Sequence, residues 1–239
     1  MKLQLKNSSV FFTILIFLCS FFISFCSSSQ DFDFFYFVQE WPASYCDTKR
    51  SCCYPKTGKP AQDFTIHGLW PNRYDGSWPQ YCDGQSHFHK YQIWDLIPKL
   101  EKNWPSLNCP SSDGVKFWAH EWERHGTCSL LNENNYFQAA LDLKEKANLL
   151  QVLKDARIEP NGDFYSLESI KEAIRKGLGY TSFVQCNVDI WQNQQLYQVY
   201  LCVDKFAKEF IDCPILPRGR SCGLEIEFPP FFSPFVDSI

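Results

Sequence analysis

Residues 117–128 read FWAHEWERHGTC, a motif in which two imidazoles, a carboxylate and a guanidinium are set among tryptophans, within a stretch from Gly114 to Thr127 whose apolar spacing is helical. On an ideal helix Phe117, His120, Glu121, Arg124 and His125 fall on one face about 140° wide. Trp118 and Trp122, four apart, form an apolar ridge beside it. Helical spacing recurs over 92–102, and over 136–156, where Phe137, Ala140, Leu141, Leu143, Ala147, Leu150 and Leu153 make a stripe on a charged background. Ser166 opens a further helix that Gly177 and Gly179 close. On either side of these helices the period changes. Residues 32–39 read as an aromatic-rich strand ended by Trp41 and Pro42, and 63–67 as a second strand halted by Gly68 and Pro71. Residues 182–188 and 195–203 are strands with a turn between them. Strands at both ends with helices between them predict an α+β domain, a mainly antiparallel central sheet with helices packed around it.

The first residues bear on the compartment. Lys2 and Lys6 precede an apolar run over 10–25, and Cys26, Ser27, Ser28 and Ser29 follow it, which is the layout of a secretory signal peptide ending near residue 28. An uncleaved anchor is the competing reading, but the run is short for a bilayer and no second candidate of about 20 residues follows. Residues 29–239 then form a single domain, with 231–239 as a C-terminal extension. Beyond the leader stand Cys46, Cys52, Cys53, Cys82, Cys109, Cys128, Cys186, Cys202, Cys213 and Cys222, and an even number in an oxidising compartment reads as five bridges. No closely spaced cysteine pair of the zinc-binding kind occurs. Without Lys2 and Lys6 the chain carries 21 basic against 27 acidic residues, near −6. That balance argues against a general nucleic-acid binder, so contact with a polyanion must be local and made by a few placed cations.

Three of the five histidines lie in two compact apolar motifs, residues 64–71 (FTIHGLWP, with His67) and 117–128. His87 and His89 sit in a polar stretch and read as surface residues. A zinc site is disfavoured because His120 and His125 are five apart, matching neither metalloprotease spacing. A charged interfacial helix is the plainer reading of 117–128 alone. Two histidines on separate elements, with a carboxylate and a cation beside one of them, suit RNA transphosphorylation. One imidazole takes the 2′-hydroxyl proton, the other protonates the departing 5′-oxygen, and the cation stabilises charge on phosphorus. DNA lacks the attacking hydroxyl. Glu121, four residues before His125, is expected to favour the imidazolium, giving a bell-shaped, mildly acidic optimum.

Both motifs, their order and their flanking cysteines resemble the ribonuclease T2 family of acid endoribonucleases, more closely its plant S-like members. The likeness extends through residues 34–42 (FFYFVQEWP), the Cys52–Cys53 pair, Pro160 to Gly162 and residues 227–230 (EFPP). It implies His125 as general base and His67 as general acid, with His120 holding phosphate or substrate. Glu121 and Arg124 would stabilise the pentacovalent transition state. Trp70, Phe117 and Trp78 would contact bases by stacking, and Glu40 stands where close plant relatives carry a glutamine near the base pocket. The implied bridges are Cys46–Cys52, Cys53–Cys109, Cys82–Cys128, Cys186–Cys222 and Cys202–Cys213. The resemblance further implies a monomer acting on single-stranded RNA with no metal or cofactor, giving 2′,3′-cyclic phosphates and then, more slowly, 3′-phosphates. Its expected setting is extracellular or vacuolar, in phosphate nutrition, stress, senescence or defence. Arg124 replaces the usual lysine, a planar fork for a compact ammonium, and Trp78 the usual tyrosine. A catalytically weak storage member is the rival reading; a self-incompatibility ribonuclease fits less well, since such proteins are basic and glycosylated and the only acceptor sequence here, at Asn7, lies in the leader. The apolar end 231–239 either packs back onto the sheet or serves as a vacuolar sorting tail.

Overall fold

The computed structural model describes residues 31–219 and 222–231. Its centre is β1 (Phe34–Glu40), seven consecutive buried residues with apolar material on both faces. Phe35 and Phe37 enter the main core, while Phe34, Tyr36 and Val38 point the other way into a smaller cluster with Tyr200 and Cys202. This is the period of two expected of an extended chain. Three further strands, β2 (Thr65–Asn72), β4 (Phe183–Val188) and β5 (Gln194–Val203), supply most of the remaining sheet. The short strands β3 (Phe164–Ser166), β6 (Phe210–Ile211) and β7 (Glu225–Glu227) complete seven among the described residues, in the order β2-β1-β5-β7-β3 with β4 and β6 also on β5. Every pairing is antiparallel except the single β5–β7 contact.

The strand expected to stop at Gly68 instead runs on to Asn72. It lies at the edge of the sheet, where Pro71 removes no ladder bond that a second neighbour would need. The helix expected over 136–156 is two, α4 (Glu133–Lys146) and α5 (Leu149–Asp155). Every residue of its apolar stripe is buried, so the pattern holds while the continuity does not. Asn148 breaks it by accepting from the Gln151 amide as an N-cap, an option open to a short polar side chain. The carbonyl of Ala147, left without a helical partner, receives the buried Gln39 amide at 3.1 Å.

The other helices are α1 (Pro42–Cys46), α2 (Ile97–Asn103), α3 (Val115–Arg124) and α6 (Leu167–Leu178). Ser166 caps α6, and Gly179 ends it in the left-handed region. Gly177 lies inside the helix rather than closing it. Five disulfides join Cys46–Cys52, Cys53–Cys109, Cys82–Cys128, Cys186–Cys222 and Cys202–Cys213, the pairs that the resemblance implied. Each cross-link of this kind typically stabilises by roughly 2–4 kcal/mol. Phe231 is buried against Trp41, ring centroids 5.5 Å apart. The leader and residues 232–239, on which the sorting expectation falls, lie outside the described residues.

Candidate active site

The β1–β2 register passes from Val38 opposite Gly68 to Gln39 opposite Ile66, so His67 is the extra residue of a bulge in β2. A bulge re-aims side chains. Here it lets Ile66 and Leu69, three apart, both enter the core while His67 and Trp70 line a cleft. The backbone of His67 is tied to α3 through two tryptophans: Trp104 Nε1 donates to the His67 carbonyl at 3.0 Å, and Trp118 Nε1 to the Trp104 carbonyl at 2.8 Å.

From the opposite wall, α3 buries Trp118, Glu121 and Trp122 and turns Phe117, His120 and Arg124 toward the same cleft. The helix ends at Arg124, and His125 adopts φ −116° and ψ −46° before the 3₁₀ turn Gly126–Cys128. The Cys82–Cys128 bridge and a bond from the Tyr81 amide to the Arg124 carbonyl, 2.9 Å, clamp that turn. The cleft, about 1270 Å³, is far larger than one nucleotide needs. Within it the Trp70 ring packs against both imidazoles, its centroid 5.0 Å from that of His67 and 5.4 Å from that of His125. Its Nε1 donates to Glu121 Oε2 at 2.9 Å. Trp70, which the resemblance put in contact with bases, lines the cleft and also packs against both histidines. Gly68 makes room for it, because a Cβ there would lie 2.0 Å from Trp70 Nε1 and 2.6 Å from Glu121 Oε2.

Burial governs the titration of this group. It pushes the Glu121 carboxyl up to about 8 against the lowering influence of Trp70 and Arg124. It pushes His125 down to about 3, assisted by Arg124, His120 and His67, and His67 down to about 4, assisted by His120. His120 is lowered by burial and Arg124. The expected stabilisation of a His125 imidazolium by Glu121 is thus corrected: the carboxyl is bonded to Trp70 and favours its neutral form, and His125 is held neutral. Arg124 Nε and His125 Nδ1 are buried without a hydrogen-bond partner among the described residues.

Trp78, largely exposed, and Phe117, 6.1 Å from the His67 ring, line the cleft as expected. Glu40 does not. It is buried behind His67, its Oε2 3.5 Å from Nδ1 of the imidazole. His87 and His89 lie outside the cleft, near Glu123 and Glu133. Sequence reasoning missed Tyr36 and Tyr200 in the wall, Lys56, Lys116 and Arg218 at the rim, and Gln198 against His67. Tyr200 and Gln198 reach the site through strand register across more than 130 residues, which no local pattern reveals. Among the described residues no group of three or more His, Cys, Asp or Glu is placed to hold a metal ion.

A model of the ribonuclease T2 family matches residues 32–213. The chain belongs to that family. It is 67% identical over 207 residues to intracellular ribonuclease LX of Solanum lycopersicum, covering 86% of this chain and 87% of the relative. To extracellular ribonuclease LE of the same species it is 53% identical over 229 residues, covering 95% and 99%. Among solved structures it resembles RNase NT in complex with 5′-AMP, with a TM-score of 0.82 at 66% identity, covering 84% of this chain and 99% of that one.

Proposed function

We propose that this T2 ribonuclease cleaves single-stranded RNA internally by transphosphorylation, with His125 as general base and His67 as general acid. The observation that carries the reading is the pair of imidazoles packed against Trp70 in one cleft, beside a guanidinium whose Nε has no hydrogen-bond partner among the described residues. His125, held neutral, takes the 2′-hydroxyl proton as O2′ bonds to phosphorus. The P–O5′ bond breaks, and His67 delivers a proton to the departing oxygen. Arg124 and His120 face the phosphate, and the neutral Glu121 carboxyl donates a hydrogen bond toward the same charge. Trp78 and Phe117 offer faces on which bases stack with little sequence preference. Hydrolysis of the resulting 2′,3′-cyclic phosphate runs the two proton transfers in reverse. Each transfer contributes about 10² to 10⁴ in rate, and none of these steps calls on a metal.

The base must be neutral and the acid protonated, so kcat/KM is bell-shaped, with an acid limb set by His125 and an alkaline limb set by His67. Both are shifted downward, which puts the optimum on the acid side of an ordinary imidazole. A test is cleavage of single-stranded RNA in EDTA, followed by detection of terminal cyclic phosphate and by pH profiles. His67→Ala and His125→Ala should each remove 10²-fold or more. Loss of cleavage in EDTA, products without a cyclic phosphate, or a flat profile from pH 5 to 9 would overturn the reading.

The relatives include one named extracellular and one named intracellular, so family likeness leaves the destination open. We place this protein in the secretory pathway through residues 1–28 and assign residues 232–239 to vacuolar sorting, since Phe231 already anchors the end of the domain in the core. Deleting 233–239 should redirect the protein to the extracellular fluid at unchanged specific activity. Full-length protein found wholly outside the cell would refute the assignment.

A further inference from the structure

Glu40 is a buried acid, 4% exposed, at the end of β1. No lysine or arginine lies within ion-pair distance of it among the described residues; its sole partner of that kind is His67, Nδ1 to Oε2 at 3.5 Å. Gln198, its cross-strand partner on β5, brings Nε2 to 3.4 Å from the same oxygen and also touches His67 Nδ1. Tyr197 donates to the carboxyl from β5, and Tyr45 on α1, Tyr200 on β5 and Glu121 on α3 are the other titratable groups that feel its charge. Around His67 the remaining titratable neighbours are His120 and His125. A purely structural tie between β1 and β5 would need only a neutral amide here. A carboxyl buried without a cation is costly, so its presence against one nitrogen of a reacting imidazole calls for a chemical reason.

We propose that Glu40 is the positioning residue for His67: its carboxyl, 3.5 Å from Nδ1 and bridged to it by the Gln198 amide, exchanges one proton with the imidazole, presents Nε2 to the RNA, and keeps the ring able to be protonated. The proposal rests on the histidine mechanism above. With the pair holding one proton, an incoming phosphodiester draws that proton onto the imidazole and leaves Glu40 ionised. Gln198 Nε2 can only donate, so Nδ1 gains its proton as the Gln198 amide turns Oε1 toward the ring, and when the imidazole Nε2–H breaks and O5′–H forms that proton stays on Nδ1. The ring is left as the neutral Nδ1–H tautomer with Nε2 bare, ready to accept a proton from water in the hydrolytic step. Burial raises Glu40 to about 7 and lowers His67 to about 4, so before RNA binds the carboxyl is the better holder of the proton.

The experiment compares parent, Glu40→Gln, Glu40→Asp and His67→Ala on one short single-stranded RNA, using kcat/KM against pH and NMR titration of the His67 imidazole, assigned by its loss in His67→Ala. Glu40→Gln keeps the shape and removes the proton. Its alkaline limb and its His67 titration should both fall by about 1 pH unit or more, a tenfold or greater loss above the limb with near-parental activity on the acid side. Glu40→Asp keeps the charge at a longer reach and should shift both by less. Profiles and titrations in Glu40→Gln that superimpose on the parent would overturn the proposal. So would an equal loss at every pH with the limb unmoved, the mark of a structural role alone. Activity retained in His67→Ala would instead refute the general-acid assignment, and the proton shared between Glu40 and His67 would still be decided by the NMR titration.

Discussion

At Gly68 a single hydrogen atom in place of a methyl group lets two walls of the cleft meet. The bond from Trp70 to Glu121 passes over its α-carbon so closely that any side chain would displace the indole. Trp70 in turn packs against both His67 and His125, so the displacement is transmitted to both. Gly68→Ala should therefore lower kcat by about 10²-fold, as misplacement of reacting groups by about 1 Å does. Its stability cost should be that of an overpacked site, about 1–3 kcal/mol. Steady-state kinetics beside thermal melts checks both. Parental kcat in a folded Gly68→Ala protein would show that the indole does not set the spacing of the imidazoles.

Among the elements, those whose residues carry their own instructions were legible. The stripe from Phe137 to Leu153 announced its buried face, and the aromatic alternation of β1 announced its strand. Ser166 announced the start of α6. The tryptophan-flanked segment ending in Cys128 announced the helix and the charged residues that it turns to the cleft. What could not be read depends on a partner strand. The bulge at His67 is a property of two registers, visible only when β1 lies beside β2. Glu40 was expected at the base pocket, yet pairing with Gln198 turns it behind His67 instead. Even the break in the long helix turned on a competition that sequence leaves undecided, between continuing the stripe and letting Asn148 cap a new start. The tie from Trp118 through Trp104 to the His67 carbonyl likewise joins three separate stretches of chain.

For the molecule as a whole, the shifts that equip the cleft also shape stability. His67 and His125 have folded values below the ordinary 6.5, so the unfolded chain binds more protons and stability falls as pH drops from about 6.5 toward 3. Glu121 and Glu40 have folded values above the ordinary 4.5; their contribution is full below about 4.5 and is lost as pH rises through 7 to 8. Between the two windows the effects oppose each other. Melting temperature should accordingly be highest near pH 4.5–6.5 and decline on both sides, and Glu121→Gln should flatten the alkaline decline. A melting temperature that climbs steadily from pH 6 to 8 would contradict these assignments. The clamp on the turn that carries His125 has a further consequence. Cys82 and Cys128 close only where thiols are oxidised. A copy held in a reducing compartment would keep them apart, and His125 would lose its anchorage. The link that sharpens the blade is thus also its scabbard: where thiols stay reduced, the ribonuclease stays blunt.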